Sequence, residues 1–321
     1  MSLVVLVVGN SGVGLPYMPT IDFNDPAVKR FFVLIAPIMI ASIVGELNKI
    51  IDRNMASSLD SGTISMLNYA SKVNSVFVAF IGTAISTAIY PQMTENAASG
   101  IGIKKDIGNG IRLILPIVVP LMLGMAFLSE PMIRVLFERG KFTREYTMLT
   151  ADVFRYYAPG MLALNLNGIL MRGFHSRQKT KTPAIVSTVS LCINIVLNLM
   201  LIRFLGARGL AIATSIAGFV TTILLYVYLH RDIGAIPVYS PKEYLKLLLA
   251  TVAMSVMVTI GIRVLPMMDV SYLTCIIWLA IIVMASVTIY AAVLIITKSE
   301  VAHMVIELVK GILGKKKRNS S

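Results

Sequence analysis

The chain has 321 residues, of which 56% are hydrophobic and only 14% charged, and its mean hydropathy is +0.80. Soluble domains carry about 25% charged residues, so this composition excludes a soluble globular enzyme and points to a polytopic membrane protein. The formal net charge is +13. Its placement, described below, speaks against nucleic acid as a partner. Cys192 and Cys275 both lie inside apolar runs, which excludes a disulfide framework and gives no metal-ligand spacing.

In chain order, Met1–Val8 is apolar but far shorter than the roughly 20 residues a helix needs to cross a bilayer. It lacks the basic start of a signal peptide. It reads as the stub of an upstream helix or a mis-started frame, followed by a Gly- and Pro-containing linker up to Asp25. Eight segments are then long and apolar enough to span: Val28–Ile51, Ile64–Tyr90, Ile111–Leu128, Leu149–Leu170, Pro183–Leu205, Gly209–Leu229, Tyr244–Leu265 and Tyr272–Thr297. Such runs exceed barrel strands of about 9–11 residues, and only helices satisfy their own backbone in lipid without a closed barrel. The expected fold is therefore all-α, with about eight transmembrane helices.

If the first helix starts in the cytoplasm, 18 Lys and Arg fall on the cytoplasmic side and 8 on the outer side. Both ends are then expected to be cytoplasmic. The outer loop Ser129–Glu145 holds four cations nearly cancelled by Glu130, Glu138 and Glu145. Met132–Phe137 within it reads as a short interfacial or re-entrant helix. The tail from Glu300 to Leu313 alternates apolar and charged residues at helical spacing and ends in Lys315, Lys316, Lys317 and Arg318. That pattern describes an interfacial helix with a basic end that favours anionic membrane lipids.

No catalytic set is visible. His175, His230 and His303 are far apart in sequence, and no Gly-rich phosphate loop of Walker type occurs. The informative residues are the polar ones inside apolar sequence, because a charge at bilayer depth costs about 2.5–3.5 kcal/mol even on insertion scales. Glu46, Lys49 and Arg53 share one face of the first helix, with Asn48 and Asp52 on the adjacent stripe. They read either as a headgroup-zone cluster or as the wall of a polar cavity. Asn68, Ser71 and Lys72 interrupt the second helix. Lys72 has no acidic neighbour on its own helix, so it either snorkels or meets an anionic ligand such as a phosphate. Asn194 and Asn198 sit one turn apart on the fifth helix, and Thr214 on the sixth. They read either as interhelical hydrogen bonds or, together with Asp52, as an oxygen cage for a small hard cation. Asp152 and Arg155, three residues apart, are expected to pair with each other.

Four stretches, IIDRNMASSLDSGTISMLNYASKV, AISTAIYPQMTENAASG, VLFERGKFT and LMRGFHSRQKTKTPAIVSTVSLCINIVLNLMLIRFLGARGLAIATSIAG, resemble the second half of lipid II flippases of the MurJ/MviN type. These belong to the multidrug/oligosaccharidyl-lipid/polysaccharide (MOP) exporter superfamily. The resemblance covers roughly Ile21 to Leu313. It implies a six-helix C-terminal lobe over residues 26–231, two additional helices over 232–298 that form a groove for a lipid tail, and an amphipathic basic tail over 299–321. Residues 1–25 remain as stub and linker. The family's first lobe has no counterpart here, so the resemblance implies a truncated or split flippase that needs a separately encoded N-terminal lobe. The implied function is movement of a polyprenyl-pyrophosphate-linked sugar across the bacterial inner membrane by alternating access, without catalysis. The alternatives are a flippase of O-antigen or teichoic-acid intermediates, or a non-transporting fragment that needs a separate N-terminal lobe.

The same resemblance puts Lys72 where the family places a cavity arginine, with Glu46, Lys49, Arg53, Asn68 and Ser71 as its neighbours in substrate binding. It also puts a sodium site on Asp52, Asn194, Asn198, the Leu210 carbonyl and Thr214, with Asn198 replacing a carboxylate. Sodium is then the expected coupling ion, and no organic cofactor is implied.

Overall fold

A computed structural model describes residues 25–59, 62–99, 102–264 and 269–302. The stub and linker, and the tail beyond Ala302, lie outside the described residues. Among the described residues there are nine helices and no strand. They are α1 (Pro26–Ala56), α2 (Thr63–Ala98), α3 (Lys104–Phe127), α4 (Ser129–Phe137), α5 (Arg144–Ser176), α6 (Lys181–Leu205), α7 (Ala207–Ile233), α8 (Pro241–Val264) and α9 (Tyr272–Ile296). The eight long ones match the eight expected segments and overrun most of them, since polar turns outside hydrocarbon can stay helical. The bundle has a near end, where α1 starts, and a far end, where α1 stops.

Local chemistry sets several boundaries. Asp25 caps α1 by accepting the Ala27 N–H at 2.7 Å, with Pro26 in the first turn. Ser271 caps α9 by accepting the Thr274 N–H at 3.2 Å. Gly206, at φ 56° and ψ −132°, turns α6 into α7 in a conformation that a side chain would oppose.

Seven of the long helices are apolar enough to cross a membrane by length and composition; α5 is the exception. The reason is positional. α5 is the hub of the bundle, packed against α2, α3, α4 and α7. Its Phe154, Met161, Ile169, Leu170 and Phe174 are almost fully buried. A helix wrapped by protein has no need of an apolar lipid face. Small residues let α7 approach it closely: a Cβ on Gly160 would lie 2.9 Å from Ser215 Oγ, and one on Gly218 would lie 3.2 Å from Ala163 Cβ.

The main apolar core runs from α1 through α7, while two small clusters hold α8 and α9 onto the rest. A second tie rests on prolines. Pro116 and Pro120 lie inside α3 and carry no N–H, so the carbonyls four residues earlier, Arg112 and Pro116, lose their helical partners. Tyr239 Oη donates to the Arg112 carbonyl at 2.9 Å, and Tyr290 Oη donates to the Pro116 carbonyl at 2.8 Å. Each freed oxygen is thus taken by a tyrosine from the α8–α9 unit or the segment leading into it.

Tyr290→Phe is therefore expected to lower stability by about 1–3 kcal/mol, because it strands a buried carbonyl. In a Pro120→Ala background, where the helical N–H returns, the same change should cost much less. Thermal melts of the four proteins in detergent read out that coupling; equal costs in both backgrounds would count against it.

The short outer helix is present as α4, with Ser129, Pro131, Ile133 and Arg134 buried. It is embedded in protein as well as apolar, since Arg134 donates to Glu138 at 3.3 Å and to the Val270 carbonyl at 2.8 Å. The expected Asp152–Arg155 pair does not form. Asp152 pairs with Arg208 of α7, and Arg155 reaches Glu130 at 3.2 Å and Ser129 at 3.3 Å. Interhelical partners supplied by packing win over the in-helix neighbour, whose exposed pairing is worth only about 0.3–0.5 kcal/mol.

Candidate functional site

α1 is the least embedded long helix. Only Ala56 is buried along it; it packs along α6 and touches α2 little. Most of α1 is thus open, and the polar residues singled out above divide between the exposed sides of α1 and α2 and the α1–α6 contact.

On the open face, Glu46 and Lys49 pair at 2.7 Å with side chains 70% and 63% exposed. Arg53 is exposed one turn further on. On α2, Lys72 is exposed and Asn68 and Ser71 are half-buried, with Ser71 Oγ donating to the Asn68 carbonyl at 3.2 Å. Lys72 makes no ion pair or hydrogen bond among the described residues.

The α1–α6 contact gathers the other set. Asn198 Nδ2 donates to Asp52 Oδ1 at 2.6 Å and to Asn194 Oδ1 at 2.9 Å. Thr214 lies within hydrogen-bond reach of Asp52 and donates its own proton to the Leu210 carbonyl at 3.0 Å. All five residues named for a sodium site therefore meet at one place. Hydrogen bonds link them. The Asn198 amide N–H₂ occupies the inner position, while Asn198 Oδ1 and Asn194 Nδ2 are buried with no partner. As arranged, the hydrogens of the Asn198 amide and not its oxygen face Asp52 and Asn194, so an oxygen cage would need that amide turned over. Tyr157 of α5 comes within electrostatic reach of Asp52; nothing in the spacing of the sequence identified it.

A third feature is an apolar groove of about 500 Å³ between the α2–α4 side and the α8–α9 pair. Phe77, Pro120, Gly124, Met254, Val283 and Tyr290 are among its walls. Ser286 also lines it, buried and with Oγ unpartnered. Two further cavities lie at the bundle ends. The near-end one, about 750 Å³, has both acids engaged: Asp106 accepts from Asn96 at 2.8 Å and Asp232 from Arg177 and Lys179. The far-end one, about 490 Å³, is walled by Tyr146, Met66 and the Asp152–Arg208 pair. Among the described residues, no cluster of His, Cys, Asp and Glu could hold a metal ion.

The described residues form an all-helical bundle with seven helices long and apolar enough to cross a membrane, the fold of a multi-pass membrane protein. A solved multidrug MATE transporter of the MOP superfamily superposes with a TM-score of 0.56 at 18% identity, over 84% of this chain and 65% of its own. A solved lipid II flippase MurJ in an inward closed conformation superposes with a TM-score of 0.65 at 24% identity, over 91% of this chain and 60% of its own. The profile of the family described as lipid II flippase MurJ matches residues 1–284, and the chain belongs to that family. The probable lipid II flippase MurJ of Vibrio cholerae is 34% identical over 219 residues, covering 68% of this chain and 42% of that protein. The chain spans about two fifths of the length of the curated relatives it matches. The profile match reaches residue 1 and so includes the segment read as stub and linker.

Proposed function

We propose that this chain forms the second lobe and tail-groove pair of a lipid II flippase, a transporter that breaks no bond. Residues 26–231 act as the lobe and 232–298 as the additional pair. The observation that carries this reading is the double character of α2. One helix bears Lys72, a cation with no ion-pair or hydrogen-bond partner among the described residues, and Phe77, a wall of the apolar groove, only five residues and about 7.5 Å further along the axis. At 3.6 residues per turn the two side chains point about 140° apart, so a ligand with its anionic head at Lys72 needs a long apolar tail that passes around α2 to reach the groove.

The diphosphate-sugar head sits against Lys72 on the open face, with Arg53, Glu46, Lys49, Asn68 and Ser71 around it. The polyprenyl tail lies in the groove. A first lobe, from the same polypeptide or a separate one, closes the other side of the cavity, and rocking of the lobes alternates access. The near end faces the cytoplasm of a bacterial inner membrane, as the excess of Lys and Arg there supports. The membrane potential, worth about 2.3 kcal/mol per charge per 100 mV, is a sufficient driving force.

The test is selective binding. In nanodiscs the chain should bind a polyprenyl-diphosphate sugar at least tenfold more tightly than the same polyprenol without diphosphate, or the same sugar diphosphate without a tail. Equal affinity for all three would overturn the reading.

A further inference from the structure

We propose that the junction of α1 with α6 needs no bound cation, because the Asn198 carboxamide does the bridging that an ion would otherwise do. The inference goes beyond the transport reading and does not depend on which substrate is carried.

Three oxygen-bearing groups converge here from helices far apart in sequence: Asp52 on α1, Asn194 on α6 and Thr214 on α7. Left alone, a carboxylate and an amide oxygen side by side repel one another, and something electropositive must sit between them. A cation is one solution. This chain uses another. The two hydrogens of the Asn198 amide are its full donor complement, and they go to Asp52 Oδ1 at 2.6 Å and Asn194 Oδ1 at 2.9 Å.

This orientation has a cost, since it leaves Asn198 Oδ1 and Asn194 Nδ2 buried without partners. The reverse orientation points the Asn198 oxygen at the Asp52 carboxylate and the Asn194 oxygen, which is unfavourable unless an ion lies between them. A carboxylate at position 198 has no such choice. It carries no donor and would add a second negative charge, so Asp52 and residue 198 would come together only around a cation. The amide at 198 therefore turns an ion-requiring contact into a self-sufficient one.

The experiment uses the purified full chain in detergent, at constant ionic strength, with sodium chloride exchanged for choline chloride. Tm and calorimetric titration with sodium are the readouts. The expected result is the same Tm in both salts and no saturable heat for the natural chain. Asn198→Asp should acquire both, with a Tm that climbs as sodium is added. Asn198→Leu should melt lower than the natural chain by the same amount in either salt, since it removes the bridge and not an ion.

A saturable sodium-dependent rise in the natural chain that disappears in Asp52→Asn would overturn the proposal. So would an Asn198→Leu chain that melts like the natural one. If Asn198→Asp folds only with sodium present, the proposal is supported. If it folds in neither salt, the natural chain's own titration still decides.

Discussion

Lys72→Ala is expected to abolish rescue of cells depleted of their own flippase, when the chain is expressed with a complementary first lobe, and Lys72→Arg is expected to keep it. The argument is one of cost. Lys72 lies nine residues into α2, about 13–14 Å from the helix start. An ammonium in that region of a spanning helix is retained at a penalty of a few kcal/mol unless it meets water or an anion. Among the described residues it pairs with no acid: Glu46 is paired with Lys49, and Asp52 with Asn198. A lysine that merely snorkels to the headgroups could be removed without harm, and alanine would even relieve the penalty. Full growth of the alanine strain at normal expression would therefore refute a role in substrate binding. Arginine retains the charge and adds a bidentate grip on a phosphate, so its strain should grow at least as well.

Gly124→Trp is expected to reduce the same rescue to the level of an empty vector, with no loss of thermal stability. A Cβ built on Gly124 meets nothing within 4 Å, because it points into the groove. The indole can enter without clash, and replacing a mid-helix glycine removes a penalty of roughly 0.5–1 kcal/mol relative to alanine. What it takes away is space. In a bilayer the groove offers a tail no hydrophobic gain over lipid, so its contribution is steric guidance, and filling it blocks the path. The contrast is Gly108, also on α3, where a Cβ would come within 2.3 Å of the Pro237 carbonyl oxygen. Tryptophan there would be a folding mutation. If Gly124→Trp keeps full rescue while the melt shows it folded, the groove does not carry the tail.

Much of the architecture could be read from the residues alone because lipid imposes a simple rule on them. Long apolar runs have few other places to go, and the eight long helices fall on the eight runs. α5 was the weakest by hydropathy and proves to be the one surrounded by protein, so its polarity was itself a sign of position. Pairing was less legible. Asp152 and Arg155 were close in sequence, and each found its partner on another helix, a choice made by packing that spacing does not encode. The meeting of Asp52 with Asn198, 146 residues apart, was one of two readings of the polar residues, and the resemblance pointed to the same set. The unpartnered state of Lys72 was legible, since no acid stood within reach on its own helix. The groove was only half legible: Pro116 and Pro120 announce which carbonyls go free, but not that Tyr239 and Tyr290 would take them.

Those two tyrosine bonds bear on how this fold can vary. Their acceptors are main-chain oxygens, which no substitution at the acceptor residue deletes. Drift at position 112 can change size and charge without untying the pair of helices behind it. These two bonds depend on four letters, two imino acids and two phenols, and a lineage that keeps them, with the apolar clusters beside them, can vary the other walls of the groove for a different tail.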